Sequence, residues 1–254
     1  MGTLAGKHAL VTGGGSGIGA AIALALAAEG AQVTILGRHS APLETLAERH
    51  PGMNWLVADV TDEVSVAAAF RRAIEAAGPP SIVVANAGAA ESAPFARTTL
   101  DSFERMVAVN LTGVFLTLRE GMRAMPGASW GRLVVIASIA GLEGHAYAAG
   151  YSAAKHGAVG LARTLAAETA GTGITVNAVC PGYTATPMLE RSVRTIVDKT
   201  GRSDDDARRI LANLNTDGRI VAPEDVAAIV LRLCEPGSEA ITGQTIAIPE
   251  LAHG

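Results

Sequence analysis

Seven short stretches of the chain are almost continuously apolar: His8–Thr12, Val33–Leu36, Leu56–Ala58, Ile82–Ala85, Leu133–Ala137, Thr175–Val179 and Thr245–Ile248. Longer segments separate them, such as Ile18–Ala28 with its alanines and leucines, and these favour helix. An unbroken apolar run marks a strand covered on both faces, and parallel neighbours need crossovers of about a dozen residues or more, which helices supply. The alternation predicts an α/β fold with one doubly wound, parallel, seven-stranded sheet and helices on both faces.

No linker rich in proline, glycine or serine divides the chain, so residues 1–254 read as a single domain. One segment breaks the rhythm. Between Thr186 and Val221 charges accumulate, with Arg191, Arg194, Lys199, Arg202, Arg208 and Arg209 set among Asp204, Asp205 and Asp206. The segment follows the sixth strand, at an end of the sheet where insertions tend to carry function. It is expected to form a mobile helical lid over about 186–220, ahead of the last helix-strand unit.

Composition narrows the function classes. Hydrophobic residues make up 49% of the chain, enough for a sizeable core, and 20 basic against 24 acidic residues leave a net charge of -4 with no block of one sign. Neither nucleic acid nor a membrane surface is an expected partner. Cys180 and Cys234 are too few for a disulfide framework or a metal cluster, and the N-terminal residues lack the form of a secretory signal, so a cytoplasmic protein is expected. His39, His145 and His156 show no ligand spacing, and no metal is expected.

The segment Thr12-Gly-Gly-Gly-Ser-Gly-Ile-Gly19 lies between the first strand and the first helix. In that context Gly13, Gly17 and Gly19 allow a tight turn and close approach of a dinucleotide pyrophosphate to a helix N-terminus; a plain tight connection is the alternative. The second strand ends in Leu36-Gly37-Arg38-His39, without the acid that would bind an adenosine ribose and repel a 2′-phosphate. Arg38 is either a phosphate ligand, which favours NADP(H) over NAD(H), or a solvated strand-end arginine. Asp59, with Val60 beside it, either reaches the adenine or begins the next turn.

Tyr151 and Lys155 stand four residues apart in a helix-compatible segment and would share a face. A lysine beside a phenol stabilises the phenolate and brings tyrosine toward use as an acid/base. Ser138 ends the fifth strand, at the edge where ligands bind, and can hold a substrate oxygen. For the Tyr151–Lys155 pair alone, a surface helix pair without chemistry is the competing reading.

Taken together, Thr12-Gly13-x3-Gly17-x-Gly19, Asn86-Ala87-Gly88, Asn110, Ser138, Tyr151-x3-Lys155 and Pro181-Gly182 occur in the order and spacing of the short-chain dehydrogenase/reductase family. The chain resembles that family over essentially its full length. The resemblance implies a Rossmann fold and hydride transfer between a nicotinamide and a carbonyl/alcohol pair of a small molecule. It implies that Tyr151 exchanges the proton, Lys155 lowers its pKa and holds the ribose, Ser138 orients the carbonyl, and Asn110 supports a water in a proton relay. The cofactor would also meet Gly15, Ser16 and Ile18, the Asn86-Ala87-Gly88 stretch, and Pro181, Gly182, Thr184 and Thr186. His145 and Met188 would line the substrate mouth, and Tyr147 would be pocket wall or core.

The substrate is expected to be a 3-oxoacyl thioester or related ketone, with small, cyclic or aromatic alcohols and NAD as the alternative. A dinucleotide-sensing protein without turnover is a third reading, which the intact Ser138, Tyr151 and Lys155 argue against. A homotetramer or homodimer is the expected assembly. The family's frequent acidic-Gly-Gly ending is missing here, where Pro249-Glu-Leu-Ala-His-Gly254 stands, and this puts the packing of the C-terminus in doubt.

Overall fold

Each of the seven apolar runs marks a strand, and the intervening segments are helical. The chain passes through β1 (His8–Thr12), α1 (Gly17–Ala28), β2 (Gln32–Gly37), α2 (Ser40–Ala47), β3 (Met53–Val57), α3 (Glu63–Ala77) and β4 (Ile82–Ala85). It continues through α4 (Leu100–Val107), α5 (Gly113–Arg123), β5 (Gly131–Ile136), α6 (Ala149–Glu168), β6 (Ile174–Pro181), α7 (Pro187–Thr200), α8 (Asp204–Ala212), α9 (Pro223–Cys234) and β7 (Thr245–Ile248). The computed structural model describes residues 2–248, so the unusual C-terminal ending lies outside the described residues.

The strands form one parallel sheet in the order β3-β2-β1-β4-β5-β6-β7. The chain winds outward from β1 to β3, returns to the centre and winds the other way from β4. That reversal opens a crevice at the C-terminal ends of β1 and β4. The third strand starts at Met53, ahead of its apolar run, because it is an edge strand whose Asn54, Trp55 and Leu56 are only half-buried.

Two hydrophobic layers cover the sheet. Successive residues of a strand face opposite sides, so β1 sends Ala9 and Val11 to one layer and Leu10 to the other. The first layer packs Ile22 and Leu26 of α1 against Val226 and Val230 of α9. The second holds Val66 and Phe70 of α3, Val114 of α5, and Ala158 and Ala162 of α6.

The charged segment after β6 forms α7 and α8. Thr186 caps α7 by accepting from the Leu189 N–H, Pro187 occupies its first turn, and Gly201 ends it with φ at 68°. Ser203 caps α8. These helices share a small core of their own, Leu189 and Val193 against Ala207 and Leu211, with Tyr183 and Ile220 alongside. Arg208 pairs with Glu190 and Arg209 with Asp206 across the solvent-facing side.

His8 is buried at the opposite end of the sheet. Its Nδ1 donates to the Gly78 carbonyl at 2.7 Å, which leaves Nε2 to accept from the Thr34 hydroxyl at 2.9 Å. Burial pushes its pKa below the usual histidine value. The folded state therefore binds a proton less readily than the unfolded chain, and the contribution is complete above the ordinary histidine pKa and lost as pH falls below it. The thermal midpoint should fall on acidification from about pH 7 to about pH 5, and His8→Gln should flatten part of that dependence in calorimetric scans.

Candidate active site

The turn after β1 is locked to the end of β4. Thr12 Oγ1 accepts from the backbone N–H groups of Asn86 and Ala87 at 3.0 and 3.1 Å. In return Asn86 Nδ2 donates to the carbonyls of Thr12 and Gly13 at 2.9 and 3.3 Å. Gly13 has φ at 66°, and a Cβ there would stand 2.9 Å from Ala87 Cα, so only glycine fits. A Cβ on Gly19 would come within 2.3 Å of the Gly13 carbonyl, which explains how closely α1 approaches the strand.

A dinucleotide fits this crevice. Ser16 precedes α1 without capping it through its side chain, leaving N–H groups of the first turn and the positive helix end open to an anion. A cavity of about 190 Å³ continues from Gly13, Gly15 and Ser16 past Arg38 to Asp59, Val60, Ala87 and Gly88. Asp59 Oδ1 accepts from the Thr61 N–H and hydroxyl at 2.9 and 2.8 Å, so the turn-forming reading of Asp59 is realised in the structure. The Thr61 N–H is the main cause that holds the Asp59 carboxyl below its usual pKa, and the charge of Arg38 on the cavity rim adds to it. His39 and Val109 also line this cavity, and neither was expected there.

Ser138, Tyr151 and Lys155 converge at the C-terminal ends of β5 and β6. Ser138 leaves β5 and accepts from the Ala140 N–H at 3.1 Å, starting a single 3₁₀ turn. Tyr151 and Lys155 lie on the inner face of α6. Lys155 is 3% exposed, its Nζ donates to the Ile136 carbonyl at 2.8 Å, and it stands 5.7 Å from the centre of the Tyr151 ring. Burial pushes the phenol up to about 12, opposed by the nearby Ser138 hydroxyl, and pushes the ammonium down to about 8. The expected lowering of the Tyr151 pKa by Lys155 is not found in the protein alone. Desolvation of the two groups is the larger effect, and the ammonium is directed at a carbonyl.

Asn110 sits where α4 would otherwise run straight into α5. The backbone widens into a π-turn over Ala108–Thr112, and the fully buried Asn110 amide donates to the carbonyls of Met106 and Ala89 at 3.0 and 2.8 Å. Its Oδ1 accepts from Ala89 N–H at 3.3 Å and lies beside Gly88. The asparagine therefore ties the widened helix to the segment that follows β4, as such insertions often do at sites.

A second cavity of about 640 Å³ opens over Ser138 and Tyr151. Pro181, Gly182, Thr184, Thr186, Met188, His145 and Ile18 also line it, and the His145 ring lies 6.5 Å from that of Tyr183. A Cβ on Gly17 would stand 3.0 Å from Thr186 Cγ2, so the start of α7 lies close to the glycine turn. Tyr147 is not pocket wall or core: it is 65% exposed, with φ at 67°, and this left-handed backbone turns its side chain outward.

Further residues line the cavity: Arg191 and Lys199 of α7 belong to the charged segment expected over the site, whereas Ser192 and Thr195 of the same helix and Glu91 from the segment after β4 were not foreseen. Helical spacing from Met188 could have revealed Ser192 and Thr195. Asn215 was missed too. It is buried, accepts from Tyr183 N–H at 2.7 Å and donates to the Tyr183 carbonyl at 3.0 Å, so it shapes the turn after Pro181.

A model of the short chain dehydrogenase family matches residues 7–196. The chain belongs to the short-chain dehydrogenase family. It is 34% identical over 245 residues to D-beta-hydroxybutyrate dehydrogenase of Cupriavidus necator, covering 94% of this chain and 95% of that one. It is 38% identical over 242 residues to acetoacetyl-CoA reductase of Shinella zoogloeoides, covering 94% and 95%. Among solved structures, a tryptophan variant of actinorhodin polyketide ketoreductase with NADPH superposes with a TM-score of 0.91 at 36% identity, covering 95% of each chain.

This short-chain dehydrogenase is thus an NAD(P)-dependent oxidoreductase acting between a carbonyl and an alcohol of a small molecule. No described helix is long and apolar enough to cross a membrane.

The pKa directions set the expected pH dependence. Tyr151 keeps its proton through the accessible range, whereas Lys155 is charged below about 8 and loses that charge as pH rises through it. Ketone reduction should hold a constant kcat/KM from about pH 6 to about pH 7 and decline above about pH 8. Lys155→Arg should move that decline upward in a steady-state pH profile; a profile flat to about pH 10 would refute the assignment.

Proposed function

We propose that the protein reduces a 3-oxoacyl thioester or related ketone, with NADP(H) as preferred cofactor. The observation that carries the reading is one cavity lined by Ser138, Tyr151 and, from the glycine turn, Ile18, with the buried Lys155 ammonium 5.7 Å from the centre of the Tyr151 ring. The nicotinamide supplies the hydride when bound. Tyr151 donates its proton to the carbonyl oxygen, and Ser138 holds and polarises that oxygen. Lys155 positions the nicotinamide ribose and keeps positive charge next to the phenol as its proton leaves. Asn110 supports a water that restores the proton.

The first helical turn and the backbone of Gly13, Gly15, Ser16, Gly17, Ile18 and Gly19 bind the pyrophosphate. Arg38 takes the 2′-phosphate, Asp59 and Val60 border the adenine, and Asn86, Ala87 and Gly88 support the ring system. Pro181, Gly182, Thr184 and Thr186 hold the carboxamide end. Met188 and His145 border the substrate, under a mobile lid of about residues 186–220 in a single domain. Arg191 and Lys199 on the lid face offer positive charge to the phosphates of a carrier arm. A cytoplasmic setting agrees with two cysteines that are unpaired and buried.

The similarity to a D-beta-hydroxybutyrate dehydrogenase favours a second reading, oxidation of a small alcohol, and NAD is the cofactor proposed for that direction. Calorimetric titration with NADPH and NADH separates the two. Tighter NADPH binding that Arg38→Asp reverses supports the reductive reading, and equal or tighter NADH binding overturns it. In the same samples Tyr151→Phe should retain cofactor binding while losing about 100-fold or more in turnover; retained turnover would refute the mechanism.

A homotetramer or homodimer is also proposed. Leu100 and Phe103 of α4 and Phe115 of α5 are exposed apolar side chains on helices that pack against α6, and a second copy of this chain would cover them. Light scattering at micromolar concentration should give a mass above that of the monomer, and a monomer would remove the proposal.

A further inference from the structure

We infer that His145 determines substrate specificity: its Nε2–H binds a second oxygen of the substrate, distinct from the carbonyl oxygen that is reduced. The inference rests on the ketoreductase reading and narrows it to ketones carrying another acceptor, such as the thioester oxygen of a 3-oxoacyl group.

His145 lines the same cavity as Ser138 and Tyr151. Its side chain is 12% exposed, and among the described residues Nε2 makes no hydrogen bond. Glu143 Oε1 lies 3.5 Å from it without hydrogen-bond geometry, on a side chain that is largely exposed. That carboxylate favours the tautomer with the proton on Nε2, which makes the nitrogen a donor. Nε2 is itself covered from water, with Glu143 Oε1 at 3.5 Å as its nearest acceptor; an unpaired buried donor is unfavourable, and a turn of the ring on the cavity wall lets a ligand oxygen satisfy it. Ser138 and Tyr151 already claim the reacting carbonyl, so the oxygen left for His145 is another one.

The backbone holds the ring in that position. Tyr147, two residues on, is the sole non-glycine residue with positive φ among the described residues. Exposure leaves its side chain little packing to offset that conformation. The conformation aims the Tyr147 carbonyl at the Ala93 N–H, 2.9 Å away, which ties the histidine loop to the neighbouring segment whose Ala90, Glu91 and Ser92 also line the cavity. Tyr183 lies against the ring with centroids 6.5 Å apart. A strained turn and an aromatic neighbour thus hold a polar side chain toward the cavity, as expected of a group kept for binding.

The test compares kcat/KM for the N-acetylcysteamine thioester of 3-oxobutanoate with that for 2-nonanone, using NADPH. In His145→Ala the ratio of thioester to plain ketone should fall by about tenfold or more, and His145→Gln, which keeps a donor, should restore part of it. A ratio within about twofold of the wild type in both variants would overturn the inference. Binding is read separately in the non-reducing Tyr151→Phe protein, by the ¹⁵N resonance of the His145 ring. A shift with thioester and none with 2-nonanone supports the role; no shift with thioester overturns it. Failure of the wild type to reduce either compound would refute the ketoreductase reading instead, and the resonance would still decide the role of His145.

Discussion

The hydrogen bonds between Thr12 and Asn86 are the constraint on which the rest of the site depends. Parallel strands β1 and β4 separate at their C-terminal ends because the chain changes direction between them. Left alone, the turn backbone there would expose unpaired donors and acceptors in a partly buried cleft. The Thr12 hydroxyl and Asn86 amide satisfy four of these groups at once. They fix the glycine turn relative to the sheet without filling the space in front of it. A cofactor crevice and a packed core therefore coexist within a few residues.

The other end of the site shows the opposite balance. Lys155 is buried beside a phenol and an inert thiol, Cys180, whose own pKa burial raises to about 11. Such a lysine is tolerated because Ile136 offers it a carbonyl at a strand end. One ammonium thus joins α6 to β5, and the same bond fixes where its charge lies relative to Tyr151.

Much of this was legible in the sequence, where local chemistry and long-range structure agree. Buried parallel strands need continuous apolar runs, so the strands could be read from hydrophobicity, with the half-exposed β3 the least clear at its start. The glycine turn and the Tyr151–Lys155 spacing announce themselves because each geometry admits few residue types. What could not be read depends on contacts across the chain. Asn215 shapes the turn after Pro181 from the far end of a segment whose charges drew attention to the lid and not to a buried amide. The outward turn of Tyr147 depends on a backbone angle that no aromatic residue favours. The weight of desolvation over charge at Tyr151 and Lys155 depends on how completely α6 is covered, and spacing along a helix carries no measure of that.

The helices over the substrate cavity keep a core separate from the two layers that cover the sheet. Packing changes among Leu189, Val193, Ala207 and Leu211 are therefore felt mainly within the α7–α8 pair, because packed units tend to open and fail as units. The cofactor crevice rests on Thr12, Asn86 and the central strands, outside that unit. Variation there can therefore reshape the α7 side of the cavity while leaving the Thr12–Asn86 lock and the central strands intact, so that one part of the cavity wall is free to change without disturbing the sheet that carries the rest.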